Sequence, residues 1–348
     1  MVIHLRASFL FLFAVATMHA LPRPQQNKPA PGPGTIVLNV VVASKSGQPV
    51  SGLRQQDFAI LDNKAPQTIT SFAAVDNGQA PVEVVVVVDA VNIGYENVAR
   101  QRQEIEKFLR MDGGHLAFPT TIAVSSDKGI ETQPEFSRDG AALRASLEQS
   151  DIGLRNIRRS AGFYGAEERF TISLHSLEQL VMQEAPKPGR KIILWVSPGW
   201  PLLSGPGVAE QIDAKQQDLI FSEIQNFSRL FHQAQITLYS VDPLGTADIG
   251  FGTFYWQSFE KPITKPSQAL PGNLALQVLA AHSGGLALNA SNDIAAQLQR
   301  CTADLGAYYQ ISYEQPLADQ PRQYHNIEVR VEKQGVTART MRGYYAQP

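Results

Sequence analysis

The stretch Val-Glu-Val-Val-Val-Val-Val-Asp-Ala-Val-Asn, residues 82–92, decides the fold class. Residues 84–88 form an unbroken β-branched run without polar alternation, which is typical of a parallel strand covered on both faces. The run ends at Asp89, and a helical pattern follows over residues 96–111. A strand that ends on a carboxylate before a helix places that carboxylate at the carboxyl edge of the sheet, where open α/β folds bind ligands.

Beyond residue 92, buried apolar runs alternate with segments of helical periodicity. We predict strands over residues 120–126, 191–196, 235–241 and 286–288, and helices over residues 139–149, 167–182, 208–233, 274–281 and 293–305. This alternation predicts an α/β domain over residues 79–305, with a doubly wound, mostly parallel, Rossmann-like sheet.

Two segments that flank the α/β pattern are β-rich instead. Residues 35–78 contain short alternating runs separated by Gly and Pro turns, and residues 306–348 contain three further predicted strands. The last of these strands is expected over residues 337–344. Because the segments lie on either side of the α/β unit, we expect them to pair with each other and form one small β-rich domain.

The first 34 residues indicate export. His4 and Arg6 precede an apolar stretch over residues 7–16, and the small residue Ala20 ends the pattern, as in a secretory signal peptide over residues 1–20. Residues 21–34 contain five prolines and are expected to form a linker. No later stretch is apolar and long enough to span a membrane, so the mature chain is expected to be periplasmic or secreted.

Composition argues against several classes of function. The formal net charge of -2 and the pI near 6.4 provide no basic field for nucleic acid. Cys301 is the only cysteine, so an internal disulfide and a thiolate zinc site are excluded, and a buried structural thiol is expected. The histidines of the mature chain lack the spacing of metal ligands.

Several short motifs are more specific together than alone. They are Gly-Gln-Pro-Val-Ser-Gly-Leu at residues 47–53 with Asp-Phe-Ala-Ile at 57–60, the strand at 84–89, Gly-Arg-Lys at 189–191 leading to Ser-Pro-Gly-Trp-Pro at 197–201, Ser-Gly-Gly at 283–285, Tyr-Tyr-Gln-Ile-Ser-Tyr at 308–313, and Arg-Gly-Tyr at 342–344. With them the chain resembles the von Willebrand factor A (VWFA) fold, and more closely the bacterial VWFA-related domain proteins, over roughly residues 35–346. The resemblance implies protein recognition or adhesion at the carboxyl edge of the sheet, commonly through a divalent ion.

The ion site that the resemblance implies is degenerate in this chain. The family holds the ion with an Asp-x-Ser-x-Ser loop, a Thr and a second Asp, which supply the oxygen ligands that Mg²⁺ requires. Asp89 matches the first Asp, but the two Ser positions fall on Val91 and Ile93, and the second Asp position falls on Pro198. Since these side chains cannot coordinate Mg²⁺, we expect no cofactor.

Two interpretations of Asp89 stay open. A rearranged site for Mg²⁺ or Ca²⁺ could use Asp89, Asn92, Ser197 and Asp242. Alternatively, the Asp89 carboxylate accepts backbone N–H bonds at the start of the following helix, where the helix dipole favours a negative charge.

The expected function is an exported, non-enzymatic module that recognises an unidentified protein partner. The loop over residues 243–271 is rich in aromatic side chains, which suggests a partner surface. The candidate partner-binding residues are Asp89, Asn92, Ser197, Trp200, Asp242, Phe254, Tyr255 and Trp256.

Two alternatives from other functional classes stay open. One is a metal-dependent or hydrolytic enzyme that uses Asp89, Asp242 and Ser197. Ser197 lacks the Gly-x-Ser-x-Gly pattern, however, and Pro198 removes an N–H that an oxyanion hole would need. The other alternative is a structural envelope protein whose β-rich domain mediates assembly.

Overall fold

A computed structural model describes residues 34–76, 80–149, 162–205, 212–248, 254–289, 291–318, 320 and 322–346. The predicted signal peptide and nearly all of the predicted linker lie outside these residues. None of the helices in the described residues has the length and apolar character needed to cross a membrane.

The described residues form fifteen strands and six α-helices. The strands are β1 (Thr35–Ser44), β2 (Phe58–Asp62), β3 (Ala65–Gln67), β4 (Ile69–Asp76), β5 (Val82–Asp89), β6 (His115–Ser126), β7 (Gly129–Thr132), β8 (Ser137–Asp139), β9 (Arg190–Val196), β10 (Ile236–Val241), β11 (Ala287–Leu288), β12 (Ala307–Glu314), β13 (Tyr324–Val331), β14 (Val336–Arg339) and β15 (Gly343–Tyr345). The helices are α1 (Tyr95–Leu109), α2 (Gly140–Gln149), α3 (Gly162–Glu184), α4 (Ala214–Gln233), α5 (Leu276–His282) and α6 (Ile294–Ala303).

The central sheet has the order β11-β10-β9-β5-β6-β7, with β8 also paired to β6. Neighbouring strands are parallel except β7 and β8, which run antiparallel to β6. The six strands of this path can be numbered 1 to 6 in chain order, with β8 left out. Read from β7 to β11, their order is then 3-2-1-4-5-6, which is a doubly wound arrangement. The predicted class, an α/β fold with a doubly wound and mostly parallel sheet, is therefore confirmed.

The valine run of β5 is fully buried because helices cover both faces of the sheet. Val84, Val86 and Val88 pack in one core with side chains of α1, α2 and α6. Val85 and Val87 point to the other face and pack in a second core with side chains of α3, α4 and α5. Alternate residues of a strand face opposite sides, so a strand with two buried faces needs apolar residues at every position.

The strands of the two chain ends pair as expected. One sheet has the order β14-β1-β12-β4, and the other has the order β15-β13-β2-β3. β1 therefore lies between two strands from the C-terminal segment, and Leu38, Ile60, Ile311 and Tyr313 share one buried core. The prediction of a small β-rich domain built from both flanking segments is confirmed.

The prediction of one continuous strand over residues 337–344 is wrong. β14 pairs with β1 in one sheet, whereas β15 pairs with β13 in the other. The chain crosses between the sheets at residues 340–342, where the Arg342 N–H donates to the carbonyl of His282 at the end of α5 (3.0 Å). This contact with the α/β unit takes the place of a sheet hydrogen bond and interrupts the strand.

The predicted helix over residues 208–233 is shorter in the described residues, where α4 begins at Ala214. Asp213 is its N-cap, and the Asp213 carboxylate accepts the Gln216 N–H at 2.8 Å. The Gln216 side chain in turn accepts the Asp213 N–H at 2.9 Å, which completes a capping box. Residues 206–211 lie outside the described part of the chain.

A buried carboxylate connects four strands of the β-rich domain. Asp62, at the end of β2, is 2% exposed. One of its oxygens lies 2.7 Å from Nδ1 of His325, and the other accepts the hydroxyls of Tyr313 (3.0 Å) and Tyr344 (2.8 Å). The His325 ring also stacks on Tyr344, with ring centroids 4.8 Å apart. A single buried side chain thus contacts side chains from β12, β13 and β15.

A second buried carboxylate connects the β-rich domain to the α/β unit. Asp304, after α6, accepts hydrogen bonds from the Tyr239 hydroxyl of β10 and from the Arg339 guanidinium of β14. Arg339 also donates to the carbonyl of Gly284 at 2.8 Å. Cys301 is fully buried nearby, and burial raises the pKa of its thiol, as expected for a structural cysteine.

Candidate functional site

The carboxyl edge of the central sheet brings three of the predicted polar residues together. β5 ends at Asp89, Ser197 follows β9, and Asp242 follows β10. The register pairs Val88 with Val196 and Val196 with Val241, so the three polar residues follow adjacent strands at the same level. This is the ligand-binding edge of an open α/β sheet.

Asp89 is fully buried, and four protein donors occupy its carboxylate. Oδ1 accepts the N–H groups of Val91 (2.8 Å) and Asn92 (2.9 Å). Oδ2 accepts Nδ2 of Asn92 (2.9 Å) and Nε1 of Trp195 (3.0 Å). The backbone donors lie in the loop after β5, whereas α1 begins later and has Gly94 as its N-cap. Asp89 therefore stabilises the loop conformation rather than the first turn of the helix.

Other side chains fix this loop between two helices. Nδ2 of Asn92 also donates to Oγ of Ser173 on α3 at 2.8 Å. Nε2 of Gln101 on α1 donates to the carbonyls of Asp89 (3.2 Å) and Val196 (2.7 Å). Sequence reasoning missed Gln101, Ser173 and Trp195, because each lies within a regular element and belongs to no motif.

Donors of the protein already occupy the Asp89 carboxylate, which leaves it few lone pairs for a divalent ion. Mg²⁺ and Ca²⁺ need several oxygen ligands with available lone pairs, but N–H groups point at both oxygens of Asp89. Val91 and Ile93 are 1% and 0% exposed and supply no oxygen from their side chains. Among the described residues, no group of three His, Cys, Asp or Glu side chains is placed to hold a metal.

Ser197 and Asp242 both stabilise turns at this edge. Ser197 is fully buried, and its Oγ accepts the Gly199 N–H at 3.1 Å. Asp242 is 6% exposed, and its Oδ1 accepts the Leu244 N–H at 2.8 Å.

The indole of Trp200 is covered by the protein. Trp200 is 4% exposed and packs edge-on against Trp195, with ring centroids 5.3 Å apart. Through Trp195 it belongs to the same cluster as Asp89 and Asn92. The sequence does not show this burial, because an aromatic residue beside Pro and Gly is equally compatible with an exposed loop.

The three predicted aromatic residues of the 243–271 loop differ in exposure. Phe254 is 43% exposed, Tyr255 is half-buried, and Trp256 is 7% exposed. Trp256 packs with Ala275 and Val278, and Leu202 from the loop after β9 joins this cluster. The 254–259 segment is therefore adjacent to the loop over residues 197–205, and Phe254 offers the most exposed aromatic surface there.

Leu203, in the loop after β9, has a backbone conformation that is rare for its residue type. Its φ of 47° lies in the left-handed region. For a residue with a branched side chain this conformation costs roughly 1–2 kcal/mol. Such strained residues persist where the surroundings hold them, and they are concentrated at binding and active sites.

Comparisons with known proteins show only remote likeness. No family model matches the sequence, and no curated protein matches it. Human COPII-coat protein Sec24c is 8% identical, with 77% of this chain and 44% of that chain covered and a TM-score of 0.33. The pilus adhesin SpaC from Lactobacillus rhamnosus GG, in its open conformation, is 10% identical, with 86% and 49% covered and a TM-score of 0.38.

A third similar structure is the SpRpn10 VWA domain, which is 8% identical, with 63% of this chain and 94% of that domain covered and a TM-score of 0.27. This chain spans less than half the length of the first two proteins. The strand order of the central sheet shows a doubly wound α/β fold.

Proposed function

We propose that this protein is an exported, non-enzymatic binding module that recognises a protein partner through the carboxyl edge of its central sheet, without a divalent ion at Asp89. The observation that carries the proposal is the Asp89 carboxylate, whose oxygens are both used by donors of the protein itself. Export is supported by the pattern of residues 1–20, for a periplasmic or secreted protein.

The contact region in this proposal is the edge surface, defined as residues 197–205 and 254–255. It combines the exposed ring of Phe254 with the strained backbone of Leu203, next to a buried cluster that fixes both segments. Exposed apolar side chains on loops that a rigid scaffold positions are typical of protein-binding sites. In this arrangement the loops of the surface are stabilised by side chains on their inner side, namely Asp89, Asn92, Trp200 and Trp256.

The covered position of Ser197 favours binding over hydrolysis. A nucleophilic hydroxyl must reach its substrate and a general base, but the Ser197 side chain is fully buried and bonded to the next turn. Pro198 also removes a backbone donor beside it.

Addition of divalent ions is expected to leave the unfolding midpoint unchanged. The measurement is thermal unfolding in chelator and then in millimolar Mg²⁺, Mn²⁺ or Ca²⁺. An ion that binds only the folded state would add about 2.7 kcal/mol at a hundredfold excess over its Kd. Asp89→Asn keeps the shape of the side chain and is the matched control. A midpoint shift in the native protein that is lost in Asp89→Asn would show that the ion-free proposal is wrong.

Phe254→Ala is expected to weaken partner capture about tenfold or more, since aromatic side chains dominate binding energy at interfaces. The immobilised protein is incubated with envelope and secreted fractions, and the captured proteins are quantified. Tyr164→Ala is the matched control, because Tyr164 is 78% exposed on α3, outside the edge surface. Equal capture by Phe254→Ala and the native protein would argue against the edge surface as the contact region, provided both unfold at the same temperature.

A further inference from the structure

A cavity lies where the β-rich domain meets the α/β unit, at the amino end of β10. We call it the junction cavity. One wall comes from α4 and α5, with Phe231, Val278 and Leu279 among its residues. The opposite wall comes from β1, β13 and residues 340–345. Residues 197–201 of the edge surface lie at the other end of β10, whereas Val278 belongs both to the cavity wall and to the cluster beside the edge surface.

Three polar atoms of residues that line this cavity have no hydrogen-bond partner among the described residues. They are Oδ1 of Asn39, the hydroxyl of Tyr324 and Oγ1 of Thr340, and each is buried. Tyr324 is only 8% exposed. Buried polar atoms in native proteins are almost always paired, because an unpaired one keeps the full penalty of losing its water. Seventeen side-chain atoms of the described residues are buried without a partner, and three of them belong to residues around this one cavity.

Several other polar groups of the walls have hydrogen-bond partners within the protein. Nδ2 of Asn39 donates to Oε1 of Gln235 at 2.9 Å, and the Tyr345 hydroxyl donates to the carbonyl of Ile263 at 2.8 Å. Nε2 of His282 lies 2.9 Å from the carbonyl of Glu260. These bonds fix the walls, so the three unpaired atoms occupy defined positions.

The cavity contains little charge. No Asp or Glu belongs to its lining. Burial lowers the pKa of His232 and of His282, so both imidazoles are neutral at pH 7. Lys261 is the cation among the lining residues, and its side chain is exposed. The enclosed space therefore favours an uncharged ligand.

We propose that the junction cavity binds a small uncharged molecule that has an apolar body and one hydroxyl or amide group. The polar group would meet Asn39, Tyr324 and Thr340, and the apolar body would contact the side chains of α4 and α5. The cavity measures about 60 Å³. This is well below the roughly 150 Å³ of an engineered cavity that holds benzene. Because the cavity is this small, it would enclose the polar group of the ligand, and part of the apolar portion would lie in the opening of the cavity.

The probe for this proposal is 4-fluorophenol, observed by ¹⁹F NMR relaxation during titration with the purified protein. Fluorobenzene lacks the hydroxyl, and 4-fluorobenzoate adds a charge. We expect 4-fluorophenol to bind about fivefold more tightly than fluorobenzene, which corresponds to one net hydrogen bond. The benzoate is expected not to compete, because its carboxylate would lose its hydration inside the cavity.

The variant Tyr324→Phe/Thr340→Val removes two of the unpaired oxygens and keeps the side-chain shapes. It is expected to lose the preference for 4-fluorophenol while its unfolding midpoint stays the same or rises, since no hydrogen bond within the protein is lost. Tyr345→Phe is the matched control. It removes a hydroxyl of the same cavity that already has a partner, so the preference is expected to remain.

Two results would overturn the proposal. One is equal binding of 4-fluorophenol and fluorobenzene, or an equal preference in the native protein and the double variant. The other is the absence of probe binding to the native protein at millimolar concentration, which would mean that the cavity holds water alone. Neither result bears on partner binding at the edge surface.

Discussion

Replacing Asp62 with alanine is expected to lower the free energy of unfolding by about 3–5 kcal/mol, because a buried group that loses its hydrogen-bond partner costs about 1–3 kcal/mol and three such groups share Asp62. The Asp62 carboxylate accepts from His325, Tyr313 and Tyr344, all of which are buried. After the substitution these three side chains would lose the acceptor that they share. The cost is large because none of the three side chains can turn to water without breaking the core between the two β sheets.

Urea unfolding of three variants measures this effect. Asp62→Asn keeps the size of the side chain and one acceptor oxygen, so it is expected to lose less stability than Asp62→Ala. Asp127→Ala changes an exposed aspartate in the turn after β6, and its effect is expected to stay within about 0.5 kcal/mol. A loss below about 1 kcal/mol for Asp62→Ala would mean that the cluster contributes little to stability.

The second large effect is expected for Asp304→Ala, again about 3–5 kcal/mol. Asp304 accepts from Tyr239 and Arg339, and its side chain is 4% exposed. Without the carboxylate, Arg339 would keep its bond to the Gly284 carbonyl, but its charge would have no counterion. Because this cluster joins β14 to β10 and α6, the loss would also weaken the contact between the β-rich domain and the α/β unit.

This effect is measured by urea unfolding with two spectroscopic probes, one for secondary structure and one for aromatic environment. Asp218→Ala, an exposed aspartate on α4, is the control. If Asp304 couples the two parts, its loss is expected to separate the two unfolding curves, which coincide in a two-state protein. Coincident curves with native stability in Asp304→Ala would contradict the proposed coupling.

The sequence predicts the central sheet well because its signal is local. A strand buried on both faces must be apolar at every position. Residues 84–88 meet this condition, and it can be recognised from these five residues without any others. The polar residues at the strand ends follow from the same pattern, since parallel strands bring their carboxyl ends to one edge. The common location of Asp89, Ser197 and Asp242 is therefore predictable from the amino-acid sequence.

Contacts between distant residues leave no such signal. Asp62 and His325 are 263 positions apart, and nothing in either local sequence indicates a pair. The same holds for Trp195, which occupies a position in a regular strand and yet donates to Asp89. The unpaired oxygens of Asn39, Tyr324 and Thr340 become neighbours of one cavity only when both chain ends have folded around α4 and α5.

The position of β12 between β1 and β4 fixes an order of events during synthesis. β4 ends at residue 76 and β12 begins at residue 307, so the 230 residues from 77 to 306 separate the N-terminal strands from the strand that must lie between them. At about 5–20 residues per second, the ribosome needs on the order of 10–50 s to produce that interval. Throughout this time β1 and β4 have no β12 to pair with, and the α/β unit between them is the first part of the chain with all its strands available.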